Sequence, residues 1–128
     1  STVVENIVFP AFELQAAVLP NCILLIESSQ LTLEQQKLWV NIQAAQTSNA
    51  HLLKWPFALE QFQDGRGVMA YVQGFLAAIQ QEQRIIALGE LPMQLDIALV
   101  QLTSLQEMLD QPLLKRQLWQ HMLGQTKA

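Results

Sequence analysis

Apolar residues along the chain fall into short runs and one long helical face, and this pattern predicts alternating strands and helices. Residues 14–27, LQAAVLPNCILLIE, contain two apolar runs on either side of Pro20 and Asn21, a pair typical of a turn. We predict a strand on each side of that turn. The second run, CILLIE, does not alternate apolar with polar residues, as expected for a strand that is covered on both faces of its sheet.

A helix and a further strand are predicted next. Thr32 and Gln35 have the spacing of a capping box, and the apolar residues of LEQQKLWVNIQAA, which begins at Leu33, recur at helical spacing. The polar cluster QTSNA ends this helix. HLLKW, residues 51–55, is a short apolar run, and we predict a second buried strand that ends before Pro56.

The most regular helical pattern lies in the middle of the chain. It follows QDGRG, residues 63–67, which precedes the helix as an anion-binding loop would but lacks the glycine spacing of a dinucleotide-binding motif or a P-loop. We therefore interpret QDGRG as a plain loop in which Asp64 caps the helix. The segment VMAYVQGFLAAIQQEQ then places on one helical face Val68, Tyr71, Val72, Phe75, Leu76 and Ile79.

The last third of the chain alternates short apolar runs with capping residues. RIIAL, residues 84–88, is predicted to be a strand that ends at Gly89. LDIALVQL, residues 95–102, is compatible with a further strand or with the start of the last helix, and the strand is favoured. Two overlapping capping boxes begin a short helix, which Pro112 interrupts. The boxes pair Thr103 with Gln106 and Ser104 with Glu107.

The order of these elements predicts the fold class. Strand and helix signals alternate at short range, which is typical of α/β domains with helices packed on a sheet. We predict a three-layer α/β fold with a small, mostly parallel or mixed sheet flanked by helices. Because no linker rich in glycine, serine or charge divides the chain, residues 1–128 are expected to form one domain, with residues 1–12 as an N-terminal arm.

Composition narrows the classes of function. The chain has 128 residues, 51% of them hydrophobic, and a formal net charge of -4. Because an acidic chain has no excess of lysine and arginine to neutralise phosphates, a protein partner is favoured over direct nucleic-acid binding. The N-terminal sequence lacks the basic start of a secretory signal, and no apolar run approaches the length of a membrane span. Together with a single cysteine, Cys22, these features predict a cytoplasmic protein without membrane contact.

No catalytic or metal site is indicated by the sequence. His51 and His121 have no second histidine, cysteine or acid at ligand spacing. Cys22 and residues 28–29, both serine, have no nearby base and no nucleophile-elbow pattern. We therefore expect no catalytic residue, no metal ion and no cofactor.

QPLLKRQLWQHM, residues 111–122, is the most informative segment. On a helix that begins near Pro112, Lys115 lies four residues and Arg116 three residues before Trp119, so both aliphatic stems can cover the indole. The covered indole lies at the edge of an apolar stripe. This edge is either a structural cover for the core or a protein-binding surface. The stripe consists of Leu114, Leu118 and Met122, and Leu123 lies beside it together with Trp119.

Residues 98–122, ALVQLTSLQEMLDQPLLKRQLWQHM, resemble the C-terminal block of the psi subunit of bacterial DNA polymerase III. In that family a short strand leads to a capped helix, a break, and a helix with the approximate pattern K/A-R-x-L-W-x-x-I/M. Earlier segments are similar in pattern over nearly the full chain: LQAAVLPNCILLIES to the family's paired strands, and QLTLEQQKLWVNIQAA to its first helix. The places of the motif are filled here by Lys115, Arg116, Leu118, Trp119 and Met122.

The resemblance implies a non-enzymatic connector of the replisome. Members of the family join the clamp loader to the chi subunit, which in turn binds the single-strand DNA-binding protein. The expected partners are therefore a chi-like subunit and a clamp-loader subunit. The family's N-terminal arm carries a G-I-x-x-W-like segment that STVVENIVFPAFELQ lacks. Either the arm has been trimmed from this sequence, or Val4, Ile7, Val8 and Phe9 take its role.

An alternative function is that of a small doubly wound enzyme or ligand-binding domain. Ligands of open α/β sheets bind outside the carboxyl ends of the strands. Such a site would lie near residues 27–28 and 89–90, which include Glu27, Ser28 and Glu90.

Overall fold

The structure, a computed structural model, describes residues 10–55 and 65–124. These residues form five strands and four α-helices, with a short 3₁₀ turn ahead of the last helix. The strands are β1 (Phe12–Val18), β2 (Cys22–Glu27), β3 (Asn49–Trp55), β4 (Arg84–Leu88) and β5 (Leu99–Leu102). The helices are α1 (Leu33–Ala44), α2 (Gly65–Ile79), α3 (Leu105–Asp110) and α4 (Lys115–Met122), and the 3₁₀ turn is Pro112–Leu114.

The five strands form one mixed sheet in the order β3-β1-β2-β4-β5. β1 pairs antiparallel with both β2 and β3, whereas β2 pairs parallel with β4 and β4 pairs parallel with β5. All strands except β1 therefore run in the same direction. This open sheet with helices against it confirms the predicted α/β fold with a small mixed sheet.

The helices lie on both faces of the sheet because the chain crosses it in two directions. From β2 the chain passes through α1 to β3 at one edge, and it then passes through α2 back to β4 on the other side of β2. Crossovers between parallel strands keep one hand, so two crossovers in opposite directions place their helices on opposite faces. α3 and α4 then return to the face that α1 covers.

Two hydrophobic cores result, one on each face. The first core lies between the sheet and α1, α3 and α4, and the second lies between the sheet and α2. Leu24 and Ile26 point into the first core, and Ile23 and Leu25 point into the second. Because successive side chains of a strand alternate between faces, β2 is apolar at every core position, which confirms the interpretation of CILLIE.

The predicted capping residues define the starts of α1 and α3. The Thr32 hydroxyl accepts a hydrogen bond from the Gln35 backbone N–H at 3.2 Å, and the Gln35 side chain accepts one from the Thr32 N–H at 2.9 Å. Of the two overlapping boxes ahead of α3, the one that forms pairs Ser104 with Glu107, with both hydrogen bonds at 3.1 Å. Each reciprocal pair satisfies backbone donors that a helix N-terminus leaves free.

The prediction of a buried strand at HLLKW is wrong in its position within the sheet. A strand does form there, but in the described part of the chain it pairs only with β1 and lies at the sheet edge. Only Leu53 and Trp55 are buried, and both face the second core, whereas Leu52 is 53% exposed. A run this short does not reveal how many neighbours its strand has, so its apolar residues alone do not distinguish an edge strand from a central one.

The strand predicted over residues 95–102 forms only in its second half. β5 begins at Leu99, and the residues before it form a loop. Leu95 and Ile97 nevertheless pack against the second core from that loop. Their apolar character therefore indicates that these side chains pack against the core, but not that the backbone there pairs with another strand.

The long central helix is confirmed as α2, which buries Val68, Val72 and Leu76 against the sheet. Tyr71, which the pattern placed on the same face, is 44% exposed. In the QDGRG segment, residues 65–67 are helical and begin α2, so the prediction of a plain loop is wrong for them. Gln63 and the expected cap Asp64 lie outside the described residues, as does Pro56. α2 is the longest of the described helices at 15 residues, and none of them combines the length and apolar character needed to cross a bilayer.

Candidate protein-binding surface

α4 carries the motif residues, and its position depends on the proline before it. Gln111, which ends α3, has φ -133° and ψ 88°, and Pro112 then begins the 3₁₀ turn that leads directly into α4. A proline fits the first turn of a helix, where its missing N–H is not needed. The break turns the chain so that Leu118 and Met122 enter the first core, where neither has exposed surface.

Polar contacts hold the C-terminal end of α4 against the sheet. The Met122 carbonyl oxygen accepts hydrogen bonds from the Asn21 side-chain amide at 2.9 Å and from the Gln46 side-chain amide at 3.0 Å. Gly124 has φ +69°, and its N–H donates to the His121 carbonyl at 3.1 Å, so it ends the helix in the left-handed conformation that glycine favours. The inward face of α4 is therefore fixed by core packing and by its C-terminal cap.

The outward face of α4 and the 3₁₀ turn form an open apolar groove. Leu113 is 81% exposed, Trp119 36% and Leu123 56%, and these are three of the seven large hydrophobic residues that are exposed in the described part of the chain. Because the three lie within eleven consecutive residues, they make one surface patch. The groove, about 420 Å³ in volume, is lined by Pro112, Leu113, Lys115, Arg116, Trp119, Gln120 and Leu123.

Of the residues that the structure describes, two cations and no acid line this groove, which we call the Trp119 groove. Lys115 is half-buried and Arg116 is exposed. Among the described residues neither cation forms an ion pair, since the single ion pair there joins Lys54 to Glu13 at 3.6 Å. The predicted cover of the indole is not seen as a cation–π contact among those residues, although both cations share the groove with Trp119.

Trp119 differs from the other two tryptophans, both of which are buried. Trp39 is 3% exposed, and its indole N–H donates to the Gln15 side-chain oxygen at 2.8 Å across the first core. Trp55 is 4% exposed and stacks on Phe12, with ring centroids 6.4 Å apart. Two of the three aromatic side chains that could stack on bases are therefore inside the molecule, and an aromatic anchor for a partner is available only at Trp119 among them.

The alternative site at the carboxyl ends of the strands is a small hollow. Glu27, Gly89 and Glu90 line it as expected, but its volume is about 200 Å³, below the roughly 300 Å³ at which ligand pockets begin. Ser28 does not line it, since its hydroxyl donates to the Glu13 carboxylate at 2.7 Å.

The Glu27 carboxylate in this hollow has structural partners. It accepts hydrogen bonds from the Ser29 N–H at 2.6 Å, from the Ser29 hydroxyl at 2.8 Å and from the Glu13 N–H at 3.3 Å. These bonds join the end of β2 to β1 and to the turn that follows. The carboxylate thus has a structural role, because it links the end of β2 to β1 and to the following turn by hydrogen bonds.

The histidines and the cysteine do not assemble a reactive site in the described residues. His51 is exposed on β3, whereas His121 is buried on α4, where burial and then the charge of Arg84 lower its pKa. Burial raises the pKa of the Cys22 thiol to about 11, so it is an inert thiol in the first core. Within residues 10–55 and 65–124 no group of three histidine, cysteine or acidic side chains is placed to hold a metal ion.

Sequence reasoning identified part of the groove and missed the rest. Trp119, Lys115 and Arg116 were expected at an edge of the core, and all three line the groove. Leu113 was missed because its outward direction depends on the 3₁₀ turn, which a helical pattern does not show. Burial of His121 could have been found, because it lies three residues after Leu118 on the same helical face.

No protein family, curated protein or solved structure was found to match this chain. The resemblance to the psi subunit therefore depends on the residues named above.

Proposed function

We propose that this chain is a non-enzymatic adaptor of the replisome, similar to the psi subunit of DNA polymerase III. In this proposal it joins a clamp-loader subunit to a chi-like subunit, and the Trp119 groove is the docking surface for the chi-like subunit. The observation that carries the proposal is the outward position of Trp119 in an open apolar groove, beside two cations that have no ion-pair partner in the described part of the chain. Partner binding commonly depends on such a central aromatic anchor with polar groups around it.

The five motif residues divide into two groups that suit this function. Leu118 and Met122 pack inside the first core and fix the helix, whereas Trp119, Lys115 and Arg116 line the groove. A motif with only a structural role would have its large side chains in the core. The division supports a surface held rigidly in place for a partner.

The second partner, a clamp-loader subunit, is assigned to the N-terminal arm. Residues 1–9 of that arm lie outside the described residues, and Phe12, its last residue, is the first residue of β1. Phe12 stacks on Trp55 in the second core, on the sheet face opposite to α4. In this proposal the two partners bind different parts of the chain, as a bridge between two subunits requires.

Co-purification tests the proposed function. The tagged full chain is mixed with a purified chi-like subunit and a purified clamp-loader subunit, separately and together, and complexes are separated by size-exclusion chromatography. We expect a complex with each subunit and a ternary complex with both. If neither subunit binds, the proposal is wrong.

Trp119→Ala tests whether the groove is the docking surface. Because Trp119 is partly exposed, we expect the free energy of unfolding to fall by no more than about 1 kcal/mol, whereas affinity for the chi-like subunit falls at least about tenfold. Leu118→Ala is the matched core variant and should lower stability by about 2–5 kcal/mol. Val40→Ala, at a residue that is 60% exposed on α1, should change neither quantity. Urea unfolding and calorimetric titration measure both, and a stability loss like that of Leu118→Ala would instead make Trp119 a core residue.

A further inference from the structure

The charges of the Trp119 groove restrict the chemistry of its partner, and this inference rests on the proposed function. Among the described residues, two cations and no carboxylate line the groove, although the whole chain has a net charge of -4. Neither cation has an ion-pair partner among the described residues, so that part of the fold neutralises neither charge. The positive charge is therefore local to the groove.

A partner that covers the groove must compensate these charges. Burying an ammonium or a guanidinium group without an opposite charge is strongly unfavourable, and a basic partner would add repulsion. A wholly apolar partner would cover the apolar side chains of Leu113, Trp119 and Leu123. It would, however, bury the charges of Lys115 and Arg116 without an opposite charge. Carboxylates close to the apolar contacts resolve both problems.

The spacing of the lining residues matches the packing repeat of a helix. Leu113, Arg116, Gln120 and Leu123 follow one another at intervals of three or four residues, which places side chains along one helical face. Leu123 lies ten positions after Leu113, so the groove extends for about 15 Å at 1.5 Å per residue. A helix of about three turns covers this length.

We propose that the Trp119 groove binds an acidic amphipathic helix of another protein. One or more large apolar side chains of that helix pack against Leu113, Trp119 and Leu123, and aspartate or glutamate residues beside its apolar stripe pair with Lys115 and Arg116. Single-stranded nucleic acid would also meet an aromatic ring beside cations here, but two cations on an acidic chain supply few of the phosphate contacts that such binding needs.

Two synthetic helical peptides of about 18 residues, roughly five turns, provide the probe. They share one leucine stripe, which is flanked by glutamate in the first and by lysine in the second. The full chain is labelled with ¹⁵N, and the indole N–H signals are followed by NMR, with Trp119→Phe assigning the signal of Trp119. We expect the glutamate peptide to shift the Trp119 signal and to bind at least about tenfold more tightly than the lysine peptide.

Charge reversal at the groove provides the second readout. The variant with Lys115→Glu and Arg116→Glu should lose at least about tenfold in affinity for the glutamate peptide and should gain affinity for the lysine peptide. Lys37→Glu, at an exposed position on α1, is the matched control and should leave both affinities close to the original values. Added salt should weaken the binding of the glutamate peptide to the original chain. It should leave the small difference in affinity between that chain and the Lys37→Glu control unchanged.

Several results would overturn the inference. Equal affinity for the two peptides would show that charge does not select the partner, and an unmoved Trp119 signal would place binding elsewhere. A shift of that signal by a single-stranded oligonucleotide alone would make the groove a nucleic-acid site, and a shift that depends only on protein concentration would make it a contact between copies. Because no replisome component is present, selective peptide binding without co-purification of a chi-like subunit would refute the proposed function and leave the partner chemistry standing.

Discussion

Neighbouring residues of α4 have opposite surroundings, and these decide their roles. Leu118 has no exposed surface, whereas Trp119, the next residue, is 36% exposed in an open groove. Sequence pattern predicted the buried stripe because apolar residues at intervals of four share a helical face. It left open whether Trp119 belonged to the core, because an indole at the edge of a stripe can turn inward or outward. Only the positions of the sheet and of the 3₁₀ turn decide between the two.

His121 makes the stability of the fold depend on pH. It is buried beside the first core, and burial together with the charge of Arg84 lowers its pKa below the ordinary value. The unfolded chain therefore binds a proton more readily than the folded chain. The stabilisation is complete above the unfolded pKa and is lost as pH falls through that value toward the lower folded pKa.

We expect the free energy of unfolding to be lower at about pH 5 than at about pH 7.5, with the decrease beginning near the unperturbed histidine value of about 6.5. His121→Gln should be less sensitive over that range, since it removes the group that titrates. Urea unfolding at several pH values measures this, and a His121→Gln profile equal to that of the original chain would contradict the assignment.

At the scale of the elements, the sequence predicts a helix start or a turn when the residues that form it are close together in the chain. The Thr32 and Ser104 caps, the turn at Pro20 and the restart at Pro112 each depend on residues a few positions apart, and the structure contains all of them. The edge position of β3 was not predictable, because it depends on the chain order of strands that are distant in sequence. The same holds for the hollow beside Glu27, where the expected residues meet but the available volume is set by α1 and α3.

The two overlapping capping boxes ahead of α3 allow a direct test of which one forms. Ser104 accepts the N–H of Glu107 and completes the box, so Ser104→Ala should lower the free energy of unfolding by about 1 kcal/mol. Thr103→Ala removes the competing hydroxyl and should change that free energy by less than about 0.5 kcal/mol. Chemical unfolding measures both variants. A larger loss for Thr103→Ala would place the start of α3 one residue earlier.

For the whole molecule, the central strand β2 links the two cores. Leu24 faces the first core, which also contains Trp39, whereas Leu25 faces the second core, which also contains Trp55. Because adjacent residues of one strand belong to different cores, neither core can lose its packing on β2 while the other keeps it. Unfolding of the described elements should therefore be a single cooperative transition.

Leu24→Ala and Leu25→Ala test this coupling with the same chemical change on opposite faces. Both side chains are fully buried, so each variant should lose about 2–5 kcal/mol of unfolding free energy through lost burial and a residual cavity. Each variant should also retain one transition, with the same midpoint whether unfolding is followed by the fluorescence of Trp39 or of Trp55, in chains where the other two tryptophans are replaced by phenylalanine. Separate midpoints for the two probes would mean that the sheet faces unfold independently. In that case α4 and the Trp119 groove would depend on the first core alone, and Leu25→Ala would leave partner binding intact under conditions where Leu24→Ala abolishes it.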